Sequence, residues 1–351
     1  MHDFIYTNHP ARIVFGAGSS RQIAEEICAL GCRHALVLST PAQVAEAEHL
    51  NDALEGLSVG VYPHATVHTP VEVTEAALER FAELGADCVV ALGGGSTIGL
   101  GKAIAYRNDV PQVAIPTTYA GSEVTPILGQ TKNGLKTTVS SPSILPEVVI
   151  YDPELTLRLP VPMSVTSALN AMAHAVEGLY ARNRNPITSL MATEGIRALK
   201  EALPGVVRQP DQLAPRSSAL YGAWLCGTVL GTVGMALHHK LCHTLGGSFN
   251  LPHAETHAVM LPHTAAYNQI VAADALRPIV ELFGGNLGVG LYDFAASLGA
   301  PLALKDLGLD EADLDRAADL AVRNPYWNPR PVEPETIREL LQRAWSGARP
   351  D

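Results

Sequence analysis

The chain is short of positive charge. Its 24 Lys and Arg face 35 Asp and Glu, a formal net charge of −11 over 351 residues, which disfavours non-specific binding to nucleic acid or to an anionic membrane surface. Cysteine is scarce too. Cys28, Cys32, Cys88, Cys226 and Cys242 are an odd number without framework spacing, so a disulfide scaffold is excluded and reduced thiols in a cytoplasmic protein are expected. Internal repeats and low-complexity tracts are missing. The opening Met1-His2-Asp3-Phe4-Ile5-Tyr6 lacks a basic n-region and an apolar h-region, so no secretory leader is expected. Long hydrophobic runs are nearly absent. The exception, 218–237, is uncharged and mostly apolar, long enough nominally to span a membrane, yet it contains Gly222, Gly227, Gly231 and Gly234 and runs into His238-His239-Lys240. It reads as one buried central helix of a bundle whose glycines let neighbours approach, not as a membrane partner.

What is present is an ordinary globular composition, 47% hydrophobic and 17% charged, at a length that suits two domains. Up to about residue 150 short apolar runs (Ala35-Leu36-Val37-Leu38, Cys88 to Leu92, Val113-Ala114-Ile115, Val148 to Tyr151) end at Gly, Ser, Pro or Asp. Amphipathic stretches such as 19–30 and 73–84 lie between them. Continuous apolar strands separated by helices predict a parallel, Rossmann-like sheet covered on both faces. Residues 125–140, with Asn133-Gly134 between Thr and Val runs, predict a hairpin inserted in that sheet. After Asp152-Pro153 the strand-like runs stop, and helices are expected at 163–181, 187–203, 217–244 and 257–267, followed by shorter ones. Pro160 and Pro162 mark the boundary. An α/β dinucleotide-binding domain at 1–160 and an all-helical catalytic domain at 161–351 follow, with an expected cleft for cofactor and substrate.

Gly93-Gly94-Gly95-Ser96 directly follows an apolar strand and opens a helix running through Lys102. Backbone N–H groups without side chains can approach a pyrophosphate there, helped by the helix's positive end. Phe15-Gly16-Ala17-Gly18 is a second glycine turn, for which a purely structural role is about as good. Pro116-Thr117-Thr118-Tyr119-Ala120-Gly121-Ser122-Glu123-Val124-Thr125 follows another buried strand, and its hydroxyls suit ribose or nicotinamide at the carboxyl end of the sheet; alone it could be a turn capped by Ser122. Lys136 in the hairpin completes the candidate cofactor contacts, with Ser39, Gly93, Gly94, Gly95, Ser96, Thr117, Thr118, Ser122 and Thr125. Ser39-Thr40 ends the second strand, where many dinucleotide enzymes place an acid that repels a 2′-phosphate. Use of NADH with tolerance of NADPH is therefore expected.

Six of the 13 histidines, His238, His239, His243, His253, His257 and His263, lie within 26 residues. His238, His257 and His263 read as core or surface histidines. His239 and His243 form an i, i+4 pair with His253 ten residues on, and Asn170 and His174 form another pair on one helical face. His174, His239 and His253 are spaced to converge from two helices and a loop. An amide at 170 is a far weaker ligand for a divalent cation than a carboxylate.

Together, Gly93-Gly94-Gly95-Ser96, Pro116-Thr117-Thr118 with Gly121-Ser122-Glu123, Asn170-x-x-x-His174 with Glu177, and His239-x-x-x-His243-x-Leu245-Gly246-Gly247-x-x-x-x-Pro252-His253 resemble the iron-containing (group III) alcohol dehydrogenases, in the family order over most of the chain. The resemblance implies the dehydroquinate synthase-like architecture of that family, NADH or NADPH as cofactor, a cytoplasmic homodimer, and metal-ligand positions at Asn170, His174, His239 and His253 with His243 beside the nicotinamide. Two positions depart from the metal-dependent members: Gly99 and Asn170 stand where those carry Asp. With Asn324-Pro325-Tyr326-Trp327-Asn328-Pro329-Arg330, these departures resemble a branch that reduces the carbon–carbon double bond of maleylacetate to 3-oxoadipate in aromatic-compound catabolism.

Hydride addition to an alkene conjugated to a ketone gives a delocalised enolate, a less demanding anion than the alkoxide for which a metal acts as Lewis acid. Histidine donors can stabilise it, so a metal is not expected to be required and the site is read as vestigial. On this reading Asn170, His174, His239 and His253 hold the substrate, and His243, with His253 second, supplies the proton. Tyr326 and Arg330 are candidates for binding a small anionic dicarboxylate. A metal-dependent (Fe or Zn) alcohol dehydrogenase, a zinc- and NAD-using lyase on the same scaffold, and a non-catalytic dinucleotide-binding protein stay open as alternatives.

Overall fold

The structure, a computed structural model, describes residues 4–7 and 11–351; Met1, His2 and Asp3 of the N-terminal stretch lie outside the described residues. The chain forms two compact units, 11–159 and 160–351, the latter together with 4–7.

The first unit holds strands β1 (Arg12–Phe15), β2 (Ala35–Leu38), β3 (Ser58–Tyr62), β4 (Cys88–Gly93), β5 (Gln112–Pro116), β6 (Ile127–Lys132), β7 (Leu135–Ser140) and β8 (Val148–Tyr151). Its helices are α1 (Ile23–Ala29), α2 (Val44–Ala53), α3 (Val71–Glu83) and α4 (Gly95–Asn108). Six strands make a parallel sheet in the order β1-β8-β5-β4-β2-β3. The four inner strands are buried at every residue, because helices cover both faces, and that is why they read as unbroken apolar runs. The edge strands β1 and β3 are only half-buried and carry weaker apolar signals, so the run of apolar residues alone did not mark them. The hairpin forms, with Asn133 and Gly134 both at positive φ, but β6 and β7 make a separate two-stranded antiparallel sheet, tied to the chain before α3 by a single bridge between Thr131 and Pro70. The expected insertion into the parallel sheet is not what the chain does. β7 is exposed along most of its length and β6 only in part, and the small apolar face of the hairpin, Leu128 and Val139, packs on Ala103 of α4 and on Ile144.

The second unit comprises α5 (Val161–Tyr180), α6 (Pro186–Arg208), α7 (Leu213–Thr232), α8 (Leu237–Ser248), α9 (His253–Val280), α10 (Leu287–Ser297), α11 (Leu314–Val322) and α12 (Pro334–Ser346). Where 217–244 suggested one continuous helix, the chain breaks after Thr232, and α7 and α8 meet at 94°. No single described helix is long and apolar enough to cross a membrane. The glycines do let helices approach: a Cβ at Gly222 would sit 2.9 Å from the Gly195 carbonyl oxygen. Helix α9 extends well past the expected 257–267, passing Pro262 and Pro278 with a kink at Ala272, since proline weakens a helix signal without always ending the helix.

Candidate active site

In the first unit β4 delivers Gly93 at its carboxyl end with φ of 152°. A Cβ there would fall 2.4 Å from Thr97 Oγ1, so only glycine fits. Gly94 precedes α4, and Gly95 is exposed with open space around it. The first N–H groups of α4 have no intrahelical acceptor by construction and form the positive end of the helix, which fits a pyrophosphate. Thr117 N–H donates to the Gly93 carbonyl at 3.0 Å, and Gln43 Nε2 donates to Thr117 Oγ1 at 3.1 Å. Thr118 packs over Gly94 and Ser96 is half-buried beside it.

Other residues of the cofactor motif brace this turn. Lys102 is fully buried; its ammonium donates to the Thr125 carbonyl (2.8 Å), Thr125 Oγ1 (2.9 Å), the Ile127 carbonyl (3.0 Å) and the Ser122 carbonyl. Thr125 also donates its hydroxyl to the Ser122 carbonyl at 3.0 Å, so its side chain is committed internally. Ser122 makes no side-chain cap, and its hydroxyl is buried without a partner among the described residues. Glu123 accepts from the Tyr151 hydroxyl at 2.8 Å, and burial raises its pKa. Ser39 sits at the end of β2 as expected but is fully buried; the half-buried Thr40 is the accessible residue at that strand end. Lys136 Nζ lies 3.4 Å from His68 Nε2. The Gly18 turn is structural: Asp152 accepts from Gly18 N–H, Ser20 N–H and Ser20 Oγ.

Gly99, one turn into α4, has a local reason. His68 and Thr69 hold φ of 67° and 45°, and Thr69 Oγ1 lies 2.4 Å from where a Cβ at 99 would be. A side chain fits at 99 only if the Thr69 hydroxyl moves aside.

In the second unit Asn170, His174 and Glu177 line one face of the buried helix α5. Glu177 organises what faces it. It accepts from the backbone N–H groups of Ala236 (2.8 Å), His238 (2.7 Å) and His239 (3.4 Å), and from His239 Nδ1 at 2.7 Å. A carboxylate from another helix thus caps the start of α8, which has no cap of its own. The same carboxylate fixes Nδ1–H on His239, leaving Nε2 pointing away and without a hydrogen-bond partner. The His174 ring centre is 5.1 Å from that of His239, and burial holds the His174 pKa well below the ordinary imidazole value. Asn170 Oδ1 and His174 Nδ1 are likewise buried and unpartnered.

His257 was missed as a site residue. Thr264 donates its one hydroxyl hydrogen to the Met260 and Leu261 carbonyls, so at 2.9 Å it can only accept from His238 Nδ1–H. That leaves the Nε2 lone pair of His238 facing His257 Nδ1 at 2.9 Å, which assigns the second proton to His257 Nδ1. His238 is therefore the satisfied core histidine expected. His257 is not: its Nε2 lone pair is buried, unpartnered and turned into the group, with its ring centre 4.4 Å from His253 and 5.1 Å from His239. Four hydrogen-bonding atoms without partners, at about 1–3 kcal/mol each, mark a place that demands a polar ligand. The only sequence signal was the crowding of histidines.

The family resemblance implies a metal here, and the residues do not fit one well. The four ligand positions supply an amide, three imidazoles and no carboxylate, and the nearby carboxylate of Glu177 is fully engaged. Among the described residues, the groups of three or more ligand atoms lying within 4.8 Å of one another are His238–Cys242–His257 and Cys32–Asp87–Cys88, and neither contains His174, His239 or His253. The first is accounted for by the hydrogen bonds above.

His243 is exposed on α8, with Nδ1 3.0 Å from the Tyr326 hydroxyl. Burial raises the Tyr326 pKa, so the phenol keeps its proton. The segment bearing Tyr326 is clamped behind it: the Asn328 amide exchanges hydrogen bonds with Asn268 at 2.9 and 2.8 Å. Arg330 stacks on the Tyr267 ring at 3.9 Å and donates to the Tyr267 carbonyl at 3.1 Å. Arg330 thus holds the segment in place.

A family model described as iron-containing alcohol dehydrogenase matches residues 10–153, and one described as Fe-containing alcohol dehydrogenase family, C-terminal, matches residues 164–345. The chain is 66% identical over 351 residues to a maleylacetate reductase from Rhizobium sp. (strain MTP-10005) and 54% identical over 351 residues to one from Burkholderia cepacia, covering all of both chains in each case. The crystal structure of maleylacetate reductase from Agrobacterium tumefaciens is similar at a TM-score of 0.98 and 64% identity, again over the whole of both chains. The chain belongs to the iron-containing alcohol dehydrogenase family.

Proposed function

We propose that this member of the family reduces the carbon–carbon double bond of maleylacetate to 3-oxoadipate with NADH, accepting NADPH, in the degradation of aromatic compounds, and does so without a metal. Full-length identity of 66% to a protein of that activity supports the substrate. The observation that carries metal independence is Asn170: a neutral amide stands on the buried face of α5 where a divalent cation is best served by a carboxylate.

Residues 93–96 hold the dinucleotide pyrophosphate, and NAD(P)H supplies the hydride. The hydride adds to the alkene carbon remote from the ketone, the alkene electron pair moves into the conjugated carbonyl, and an enolate forms. His174 and His253 donate hydrogen bonds to its oxygen, and His239, whose Nδ1–H is spent on Glu177, joins them only when Nε2 also carries a proton. His243, oriented by Tyr326, gives the proton to the carbon next to the ketone. One hydride and one proton are consumed for each double bond. The cysteines, none in a disulfide among the described residues, suit a cytoplasmic enzyme, and a homodimer is the assembly we expect.

The test is maleylacetate-dependent oxidation of NADH and of NADPH, with 3-oxoadipate identified as product. Dinucleotide binding without turnover would leave a sensor; turnover of simple alcohols in preference would leave an alcohol dehydrogenase.

A further inference from the structure

A dicarboxylate bound beside a chain of net charge −11 needs local cations, and Arg330, stacked on Tyr267 with one N–H on its carbonyl, keeps its charge and its other N–H groups. The histidine helix itself carries a cation. Lys240 lies on α8 three residues before His243, so the two share a face, and its Nζ stands 5.9 Å from the centre of the Tyr326 ring. Its position is unfavourable in isolation. It is half-buried, the Glu177 carboxylate at the start of its helix is already taken up by backbone N–H groups and His239, and α8 contains no acid. Among the described residues no carboxylate lies within salt-bridge distance of it. A lysine placed against these costs, beside a phenol already hydrogen-bonded to His243, is explained by an anion that arrives with the ligand.

We propose that Lys240 is a substrate-binding residue whose ammonium, with the Tyr326 hydroxyl, receives one carboxylate of the dicarboxylate held by the histidines. The inference rests on the reduction proposed above and adds what makes the enzyme select a charged enone over a neutral one. The contact is a charge-assisted hydrogen bond to a carboxylate, made in ground state and transition state alike, so it acts on KM more than on kcat.

The experiment compares wild type with Lys240→Met, Lys240→Gln and Lys240→Arg, each first checked for an unchanged melting transition. Both neutral variants are expected to raise KM for maleylacetate by roughly ten- to a hundredfold while KM for NADH stays put, and Lys240→Arg to recover most of the loss. With the ester of that carboxylate as substrate, wild type and Lys240→Met should become nearly equal. An unchanged KM for maleylacetate in a folded neutral variant, or a shift in KM for NADH instead, overturns the assignment. If Lys240→Met does not fold, Lys240→Gln and Lys240→Arg carry the comparison. Failure of wild type to turn over maleylacetate at all is a different result, and it sinks the proposed reaction itself.

Discussion

Each unit buries one glutamate beside its functional residues, and the two have different tasks. Glu177 has both oxygens committed, to three backbone N–H groups at the start of α8 and to His239 Nδ1. Glu123 takes one hydrogen bond from Tyr151, has its other oxygen unpartnered, and has its pKa raised by burial. The surroundings match. Around Glu123 the ligand-facing groups are backbone amides and hydroxyls, which read charge and shape in a dinucleotide common to many enzymes. Around Glu177 they are imidazoles, and in the proposed reaction their proton positions matter because the substrate is held and protonated there. On that reading the charge that matters more is the one that sets a tautomer, at Glu177.

The largest expected effect comes from removing that charge. Glu177→Ala leaves the Ala236 and His238 N–H groups and His239 Nδ1 unpaired, costing several kcal/mol in thermal unfolding at about 1–3 kcal/mol per group and lowering kcat by roughly a hundredfold through misplaced histidines. A variant with wild-type kcat would show that the capping geometry is irrelevant to the chemistry.

Next comes acid. His263 is buried with its pKa lowered to about 4, chiefly by burial, and burial also holds His174, His238 and His257 well below the ordinary value. The unfolded chain takes up protons near pH 6.5 while these sites stay neutral, so stability is present above 6.5 and is lost as pH falls from 6.5 towards 4. His263 alone contributes about 3 kcal/mol to that loss. Thermal melts of wild type and His263→Gln between pH 7 and 4 should converge as pH falls; parallel curves would contradict the sign.

Gly99→Asp brings a smaller, local loss. It pushes Thr69 and its loop away from α4, and the overpacking is expected to raise KM for NADH by about tenfold with KM for maleylacetate little changed. The smallest effect sharpens the comparison directly. Glu123→Gln keeps an acceptor for Tyr151 and should alter kcat less than about twofold, while Glu177→Gln does not stay near wild type.

Much of this was legible in the sequence because it lies in local patterns. Buried parallel strands are continuous apolar runs, the glycine turn follows one of them, and Asn170 with His174 shares a helical face. What escaped depends on contacts far apart along the chain. Glu177 caps α8 some sixty residues later, and that cap is where α7 and α8 separate, so the 217–244 stretch read as one helix. His257 looked like an ordinary core histidine, since its role is set by Thr264 through His238. Arg330 stacks on Tyr267 and gives one N–H to its carbonyl, a contact 63 residues apart that no local pattern signals. Gly99 was noticed as a substitution, but its steric cause lies in a loop thirty residues earlier.

The central claim is that histidine side chains, and not a metal, stabilise the enolate. The most direct measurement is metal content together with kcat before and after exhaustive chelation. The account predicts substoichiometric metal and an unchanged kcat. Activity that falls with chelation and returns in proportion to added Fe²⁺ or Zn²⁺ would contradict it.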